Sequence, residues 1–472
     1  MVPQLTPPQP PHPARWRPRW RWFLGLGLAL GLILTLAALF WLRTALYNRF
    51  VRFPEEAAAW KALGAEHQPV PPLPGWHDYR GVFHSHSHLS HDCEVPFPEI
   101  LRVLKATGRD FIGLSDHCDQ GRADFSAQWR GLHDGVLFIP GFEMKDGLMP
   151  FGVASNVILD SKTLDSDAIA RLVIEHGGVL FYAHPEEPRD WNRPELTGTE
   201  IYNIHADFTD HRHALLDLLP DLLVNQRRYP DHVFRLLFDP PTANLARWDA
   251  CNQSRHLTGI AGNDCHQNTG VRAVVAENHT VRIEDTSPKT LAQLPLNALT
   301  RPLLRLAFGP LEPGRVLCRV QLDPYERMVR FVCTHVLAPE LSETAILDAL
   351  RSGHAFVGFD RLADSSGFLW TAHGPHGEAI MGDSLAFDPD VELRAASPQP
   401  CRFTIVHEGR PVHTAEGRSL EWKPNGPGSY RVEAHLRIRN EWVPWVYANP
   451  IALQLRHQNL QTNTPPTLHP PS

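Results

Sequence analysis

The sequence predicts an α/β chain: a barrel-like domain of alternating strands and helices, a β-sandwich domain after it, and an N-terminal transmembrane helix before it. Three observations predict this. From about Asp78 to Asn268, short apolar runs alternate with helical patterns, and polar residues gather where the apolar runs end. After about Pro310 the pattern changes to short alternating segments separated by turn residues. Ahead of both, Trp22 to Leu42 contains no charged residue. At 472 residues the chain exceeds one ordinary domain, and 43% apolar content with 13 Trp supports real cores. A net charge of -7 gives no electrostatic case for binding long nucleic acid. The seven Cys are too irregularly spaced for a disulfide framework.

Taken in order, Met1 to Pro13 is Pro-rich, and Arg15, Arg17, Arg19 and Arg21 form a basic flank, so residues 1–21 are expected to be disordered. Residues 22–42 would span about 30 Å as a helix, the thickness of a bilayer core. Trp22 and Trp41 sit where interfacial aromatics are favoured. A cleavable signal peptide would carry a shorter apolar region and a small-residue cleavage site, and no such site precedes Arg43. The arginine excess before the span, with Glu55 and Glu56 after it, predicts the N-terminus inside and the body outside. In a bacterium that is a single-pass inner-membrane protein with a periplasmic body. Residues 43–77 are expected to be a linker.

The barrel-like stretch opens on Gly81-Val-Phe-His-Ser-His-Ser-His-Leu-Ser-His-Asp92. Tyr79 to Phe83 reads as a strand, whose alternation would project His84 and His86 from one face, where two imidazoles can share a cation. The plainer alternative is a His-rich surface turn. Pro96 to Thr107 has helical apolar spacing and Gly108 to stop it. The strand-like run Phe111 to Leu114 ends at Ser-Asp116-His117, and Val136 to Ile139 leads to Pro-Gly-Phe-Glu143. A helix from Asp165 to His176 precedes Val179 to Tyr182, which leads to Ala-His184-Pro. Glu200 to Ile204 is another short strand, Leu215 to Trp248 is helical, and His256 to Ala261 leads to Gly-Asn-Asp264-Cys-His266. A parallel sheet with functional residues at its C-terminal strand ends fits this order.

The succession HSHSHLSHD, FIGLSDH, IPGFE, YAHPEEP and GNDCH resembles the PHP family, named for polymerase and histidinol phosphatase members, over roughly residues 78 to 270. The resemblance implies a distorted (β/α)7 barrel holding two or three divalent metals, commonly zinc, manganese or iron, that hydrolyse phosphoesters. Matched motif by motif, His84, His86, Glu143 and Asp264 would form one metal shell. Glu143 would bridge to a second metal that also takes His184, and Asp92, His117 and His266 would hold a third. The ending Ser-His-Asp leaves His91 and Asp92 both eligible as ligand, with Asp92 favoured. Relatives usually supply another His after the Glu, yet Gly147 to Leu159 has none, with Ser155 and Asn156 near that place. His205 is a possible substitute, although it reads more simply as a strand-end residue.

Phosphoester hydrolysis needs a nucleophile at neutral pH and a counter-charge for the transition state, and bound metal supplies both through a metal-bound hydroxide. His88 or His91 would then donate the leaving-group proton as catalytic residues. Arg122, Arg130 and Lys145 are candidates for gripping phosphate, weighed against simple surface charge. Cys93, Cys118 and Cys265 neighbour proposed ligands, but strand alternation turns Cys265 away. The C-terminal domain, about 310–456, ends in Trp442 to Ile451, which resembles an immunoglobulin-like domain appended to some PHP proteins; residues 457–472 read as a disordered tail. The expected activity is phosphoester hydrolysis of a small phosphorylated compound, a nucleotide or sugar phosphate, by a domain spanning 78–309. A non-catalytic metal-containing binding module and a hydrolase of carbon–nitrogen bonds are the alternatives.

Overall fold

The computed structural model describes residues 20–206, 214–285 and 290–455. The expected disordered segments at the two ends fall almost wholly outside them. The molecule is mixed α/β, with most strands joined in one large sheet.

Seven strands of that sheet pair in a ring: β1 (His77–Ser85), β2 (Phe111–Gly113), β3 (Val136–Ile139), β4 (Leu148–Phe151), β5 (Val179–Tyr182), β6 (Gly198–Asn203) and β7 (Thr258–Cys265). Parallel ladders join β3 to β2, β2 to β1, β1 to β7, β7 to β6 and β6 to β5. Strand β4 runs antiparallel to β5. An isolated bridge between Gly141 and Phe151 closes the gap between β3 and β4. The reversed β4 departs from the all-parallel expectation. Its cause is the short connection after β3, which contains no crossover helix, and a parallel neighbour would need a dozen or more residues.

Helix α3 (Phe97–Thr107) buries Phe97, Ile100, Val103 and Leu104 and stops at Gly108, whose φ of 65° supplies the left-handed cap. Helix α4 (Ser166–Glu175) starts where Asp165 accepts a hydrogen bond from the Ala168 amide at 2.7 Å. One apolar core joins Phe83, Phe111, Phe151 and Phe181 to Ile346 and Leu350 of the helix Glu343–Ser352. Each such side chain contributes about 1.5–3 kcal/mol by leaving water. Gly113 has no Cβ because one there would run into the Phe83 ring.

The expected boundary near Pro310 does not coincide with a break in the structure. The strands Gly270–Val275, Thr280–Asp285, Thr290–Pro295 and Val316–Gln321 form a four-stranded antiparallel sheet, in which Val316–Gln321 pairs with Gly270–Val275 just after the last strand of the ring. Strand β8 (Cys333–Ala338) then pairs antiparallel with the first half of β1. From β8 the sheet continues through Ala355–Gly358 into the strands Glu392–His407, Arg410–Trp422, Gly428–Ile438 and Glu441–Ala448. Arg315 to Leu322 alternates as a sandwich strand would, but its partner lies upstream.

Among the described residues, one helical stretch is long and apolar enough to cross a membrane, and none of its apolar window is buried. Helix α1 (Trp20–Tyr47) passes through a π-helical turn, Asn48–Arg52, into α2 (Phe53–Glu66). Pro54 lacks the amide that an unbroken helix would need there, and the wider turn accommodates the lost bond. Residues 43–77 therefore differ from a loose linker. Phe53, Trp60 and Leu63 of α2 are buried in the body, and Glu56 is 2% exposed against Arg52, His232 and Arg235.

Candidate metal centre

The polar strand ends converge on one site. His84, next to last in β1, has φ 54° and lies at a register shift between Phe83 and Ser85. His184 after β5 and Asp264 in β7 are also left-handed, at φ 48° each. Non-glycine residues rarely occupy this region, and three together at strand ends mark locally stored strain. His84 and His86 do meet, with ring centroids 5.4 Å apart, but through this irregular turn rather than through plain strand alternation.

Two carboxylates stand at the centre. Glu143 Oε2 lies 3.4 Å from His84 Nε2, 3.7 Å from His86 Nε2 and 3.3 Å from His117 Nδ1, while its Oε1 lies 3.2 Å from His184 Nε2. Asp264 Oδ1 lies 3.3 Å from His84 Nε2, 3.4 Å from His86 Nε2 and 3.1 Å from His266 Nδ1. Asp92 Oδ2 reaches His117 Nε2 at 3.5 Å and His266 Nε2 at 3.3 Å. Ligand-type atoms fall within 4.8 Å of one another in the groups His86, Asp92, His117, His266; His84, Glu143, His184; His84, His86, Asp264; and His205, Asp264, His266. The structure thus brings together all eight residues expected as ligands, and adds His205 beside Asp264 and His266.

These groups suit divalent metals on two counts. Buried Asp264 Oδ1, Asp92 Oδ1, His86 Nε2 and His266 Nε2 have no hydrogen-bond partner, a costly arrangement that a cation would relieve. The carboxylates also draw positive charge onto the imidazoles. Against the opposing effect of burial, Asp264, Glu200 and Glu143 hold His84 well above its ordinary value. Burial likewise opposes the charge on His184 and His266, yet Glu143 with Glu186 lifts His184 to about 11, and Asp264 with Asp92 lifts His266 to about 9. His86 is pushed down to about 3 by burial and the neighbouring His266. Glu143 and Asp264 stay well below the carboxylate range because the charged His84 outweighs their burial.

Supporting residues fix the rings. Glu200, fully buried in β6, contacts His84 Nδ1 through Oε1 and accepts from the His184 amide at 3.0 Å and Asn203 Nδ2 at 3.1 Å through Oε2. This carboxylate leaves His84 Nε2 facing the site, as outer carboxylates do for metal-binding histidines. Sequence reasoning missed its role. The available signal was a lone carboxylate inside an otherwise uncharged strand, which must find a partner when buried. Ser90 Oγ lies 2.9 Å from His86 Nδ1 and accepts from the His117 amide at 2.9 Å; it also contacts Asp116, which takes a further bond from Gln128 Nε2 at 2.7 Å.

Other expected residues lie elsewhere. His88 is exposed, edge-on to Phe97 at 5.0 Å, and stands outside each ligand group. His91 is also exposed, with its ring 5.0 Å from His117. Arg130 is engaged by Glu343 and the Val153 carbonyl, and Lys145 donates to the carbonyls of Ser161 at 2.9 Å and Leu164 at 2.6 Å, so neither is placed to grip phosphate. Arg122 is exposed in the small strand Arg122–Asp124. Ser155 and Asn156 are exposed in a turn and supply nothing to the centre. Burial raises the thiols of Cys93 and Cys118 to about 12, which keeps them protonated, and also pushes the Cys265 thiol well up. A separate group, Cys333, His335 and Asp360, is already closed: Arg109 NH1 donates to Asp360 at 2.8 Å, and His335 Nδ1 meets Asp78 at 2.7 Å.

No family model and no curated protein matches the chain. Among solved structures, it is similar to a two-domain protein from Bacteroides vulgatus containing a predicted PHP-like metal-dependent phosphoesterase. The identity is 14%, covering 81% of this chain and 98% of that one, with a TM-score of 0.34.

Proposed function

We propose that this chain is a membrane-anchored, metal-dependent phosphoesterase with a PHP-type barrel and an appended β domain. The observation that carries the reading is the convergence of eight imidazole and carboxylate side chains, several with buried, unsatisfied atoms aimed at one another. A closed structural site needs only four ligands, so this set exceeds what stability requires. His86, Asp92, His117 and His266 would hold one cation, His84, Glu143 and His184 a second, and Asp264 would sit between them with His84 and His86. Mixed imidazole and carboxylate donors favour zinc, iron or manganese. When bound, such ions activate water at neutral pH and offset negative charge on a phosphoryl group.

The chain's own residues do the rest. Glu200 and Ser90 orient His84 and His86 so that their Nε2 atoms face the centre. His91, exposed beside His117, is the candidate donor of a proton to the leaving alkoxide; the His88 ring packs edge-on to Phe97 instead. With Arg130 and Lys145 engaged elsewhere, neither would clamp the phosphate, and bound cations would supply the counter-charge for it. In this reading the substrate is a phosphate ester, and the long apolar α1 serves as the bilayer anchor.

The test is elemental analysis of the purified full-length chain, with a panel of phosphomonoesters, phosphodiesters and amides assayed with and without chelator. Two or three transition metals per chain, with chelator-sensitive turnover of a phosphoester, are expected. Turnover of amides alone would overturn the reaction class. Metal without any turnover would make the barrel a binding module.

A further inference from the structure

The point where α1 leaves its apolar span is joined to the rim of the metal centre by a short series of contacts. Asn225 Nδ2 donates to the Ala45 carbonyl at 2.9 Å, and buried Asn48 donates to Asp221 at 2.9 Å, which ties the end of α1 to the helix Ala214–Val224. Leu218 and Leu222 of that helix line one crevice with Leu322. The Leu322 amide donates to the Thr269 carbonyl at 3.0 Å, three residues beyond His266.

The same junction carries the features of a bilayer surface. Phe50 is 74% exposed, Leu223 67% and Tyr47 50%. Arg227 and Arg228 are exposed beside them, and Arg49 and Arg228 lie over the Tyr229 ring at 5.9 and 5.5 Å. Aromatics, an exposed leucine and arginines grouped around the end of a span are what headgroups and the acyl boundary select. A tether meant only to keep an enzyme near the membrane needs none of this.

Resting on the phosphoesterase reading above, we infer that the substrate is an amphiphile of the same bilayer, a phosphate ester carried on a long apolar tail and presented at headgroup level. Water is the co-reactant. One ester P–O bond breaks, the hydroxyl of water ends on phosphorus, and its proton goes to the departing alkoxide.

The experiment uses the full chain, metal-loaded, in lipid nanodiscs or mixed micelles, with matched pairs of esters. The pairs are phosphatidic acid against glycerol 3-phosphate, and phosphatidylglycerol against glycerophosphoglycerol. Expected is faster turnover of the lipid member of one pair, rising with its surface fraction. The variant Leu223→Ser/Arg227→Ala/Arg228→Ala, altered only at exposed positions, should lose about tenfold on the lipid ester and nothing on a soluble one. Hydrogen exchange around Leu223 should also slow when anionic lipid is added. Turnover of the soluble members at equal or higher rates, insensitive to surface fraction and to the variant, overturns the lipid assignment and leaves the phosphoesterase intact. Turnover of no ester overturns both.

Discussion

Replacing Glu200 by Gln keeps the shape of a buried side chain and removes one charge. In the native site Glu200 offers acceptors to three donors at once: His84 Nδ1, the His184 amide and Asn203 Nδ2. A glutamine has one acceptor oxygen and one NH2 group, so whichever way it turns, an N–H must face an N–H. Leaving one buried donor unmatched costs about 1–3 kcal/mol. If that cost falls on His84, its ring turns or changes tautomer, and Nε2 no longer faces Asp264 and Glu143. Outer partners of metal-binding histidines are worth about 10–100-fold in metal affinity, or about 1.4–2.7 kcal/mol, which agrees with the hydrogen-bond figure. The assay is competition of the full-length protein against a chromophoric chelator, with unfolding followed in parallel. Native metal affinity and stoichiometry in Glu200→Gln would show that His84 is oriented by something else and would refute the reasoning.

Three further outcomes are expected. Gly262→Ala would place a Cβ against Glu200 Oε1, so it should weaken metal binding in the same direction and destabilise the fold by about 1–3 kcal/mol, read from chelator competition and urea unfolding. Glu56 has a folded value lowered to about 2: burial opposes its charge, but His232, Arg235 and Arg52 more than compensate. Its stabilisation is therefore complete above the unfolded value near 4.5 and is lost as pH falls towards 2. Glu56→Gln should cost up to about 3 kcal/mol at pH 7, and the gap from wild type should narrow between pH 5 and 3.5 in denaturant titrations. Asp249 forms a two-pronged buried pair with Arg431, at 2.5 and 2.8 Å, joining the helix Thr242–Asn252 to the strand Gly428–Ile438. Asp249→Ala should destabilise by about 3 kcal/mol because the buried guanidinium loses its two-pronged partner and keeps only Glu433 at 2.7 Å, and an unchanged urea midpoint would contradict this.

The sites at the strand ends were legible because each short apolar run stops at a carboxylate or imidazole, and period-2 burial makes those ends conspicuous. Helix Phe97–Thr107 with its stop at Gly108 was equally plain, since helical apolar spacing and a left-handed glycine are local signals. What escaped depends on the rest of the molecule. The left-handed turns at His84, His184 and Asp264 are imposed by surrounding packing, and no local propensity announces a histidine at positive φ. Glu200 reads as a surface residue until its strand is known to be buried on both faces. The upstream partner of Val316–Gln321, the reversal of β4 and the docking of α2 are long-range pairings. Periodicity proposes elements but does not say which neighbours they choose.

The closure of the ring between β3 and β4 has a consequence for how the molecule opens. Every other seam is a ladder, whereas this one has the Gly141–Phe151 bridge and a bond from the Gly152 amide to the Pro140 carbonyl, with Gln128 clasping Gly141 from outside. Local opening should begin at this edge, because few backbone bonds must break there. Glu143 lies two residues beyond Gly141, so fraying would carry it away from His184, which follows β5 on the far side of the seam. A cation held by both sides would act as a clasp on the weakest edge. Stripping it should speed amide exchange in Pro140 to Phe151 well before it lowers the temperature at which the whole chain unfolds.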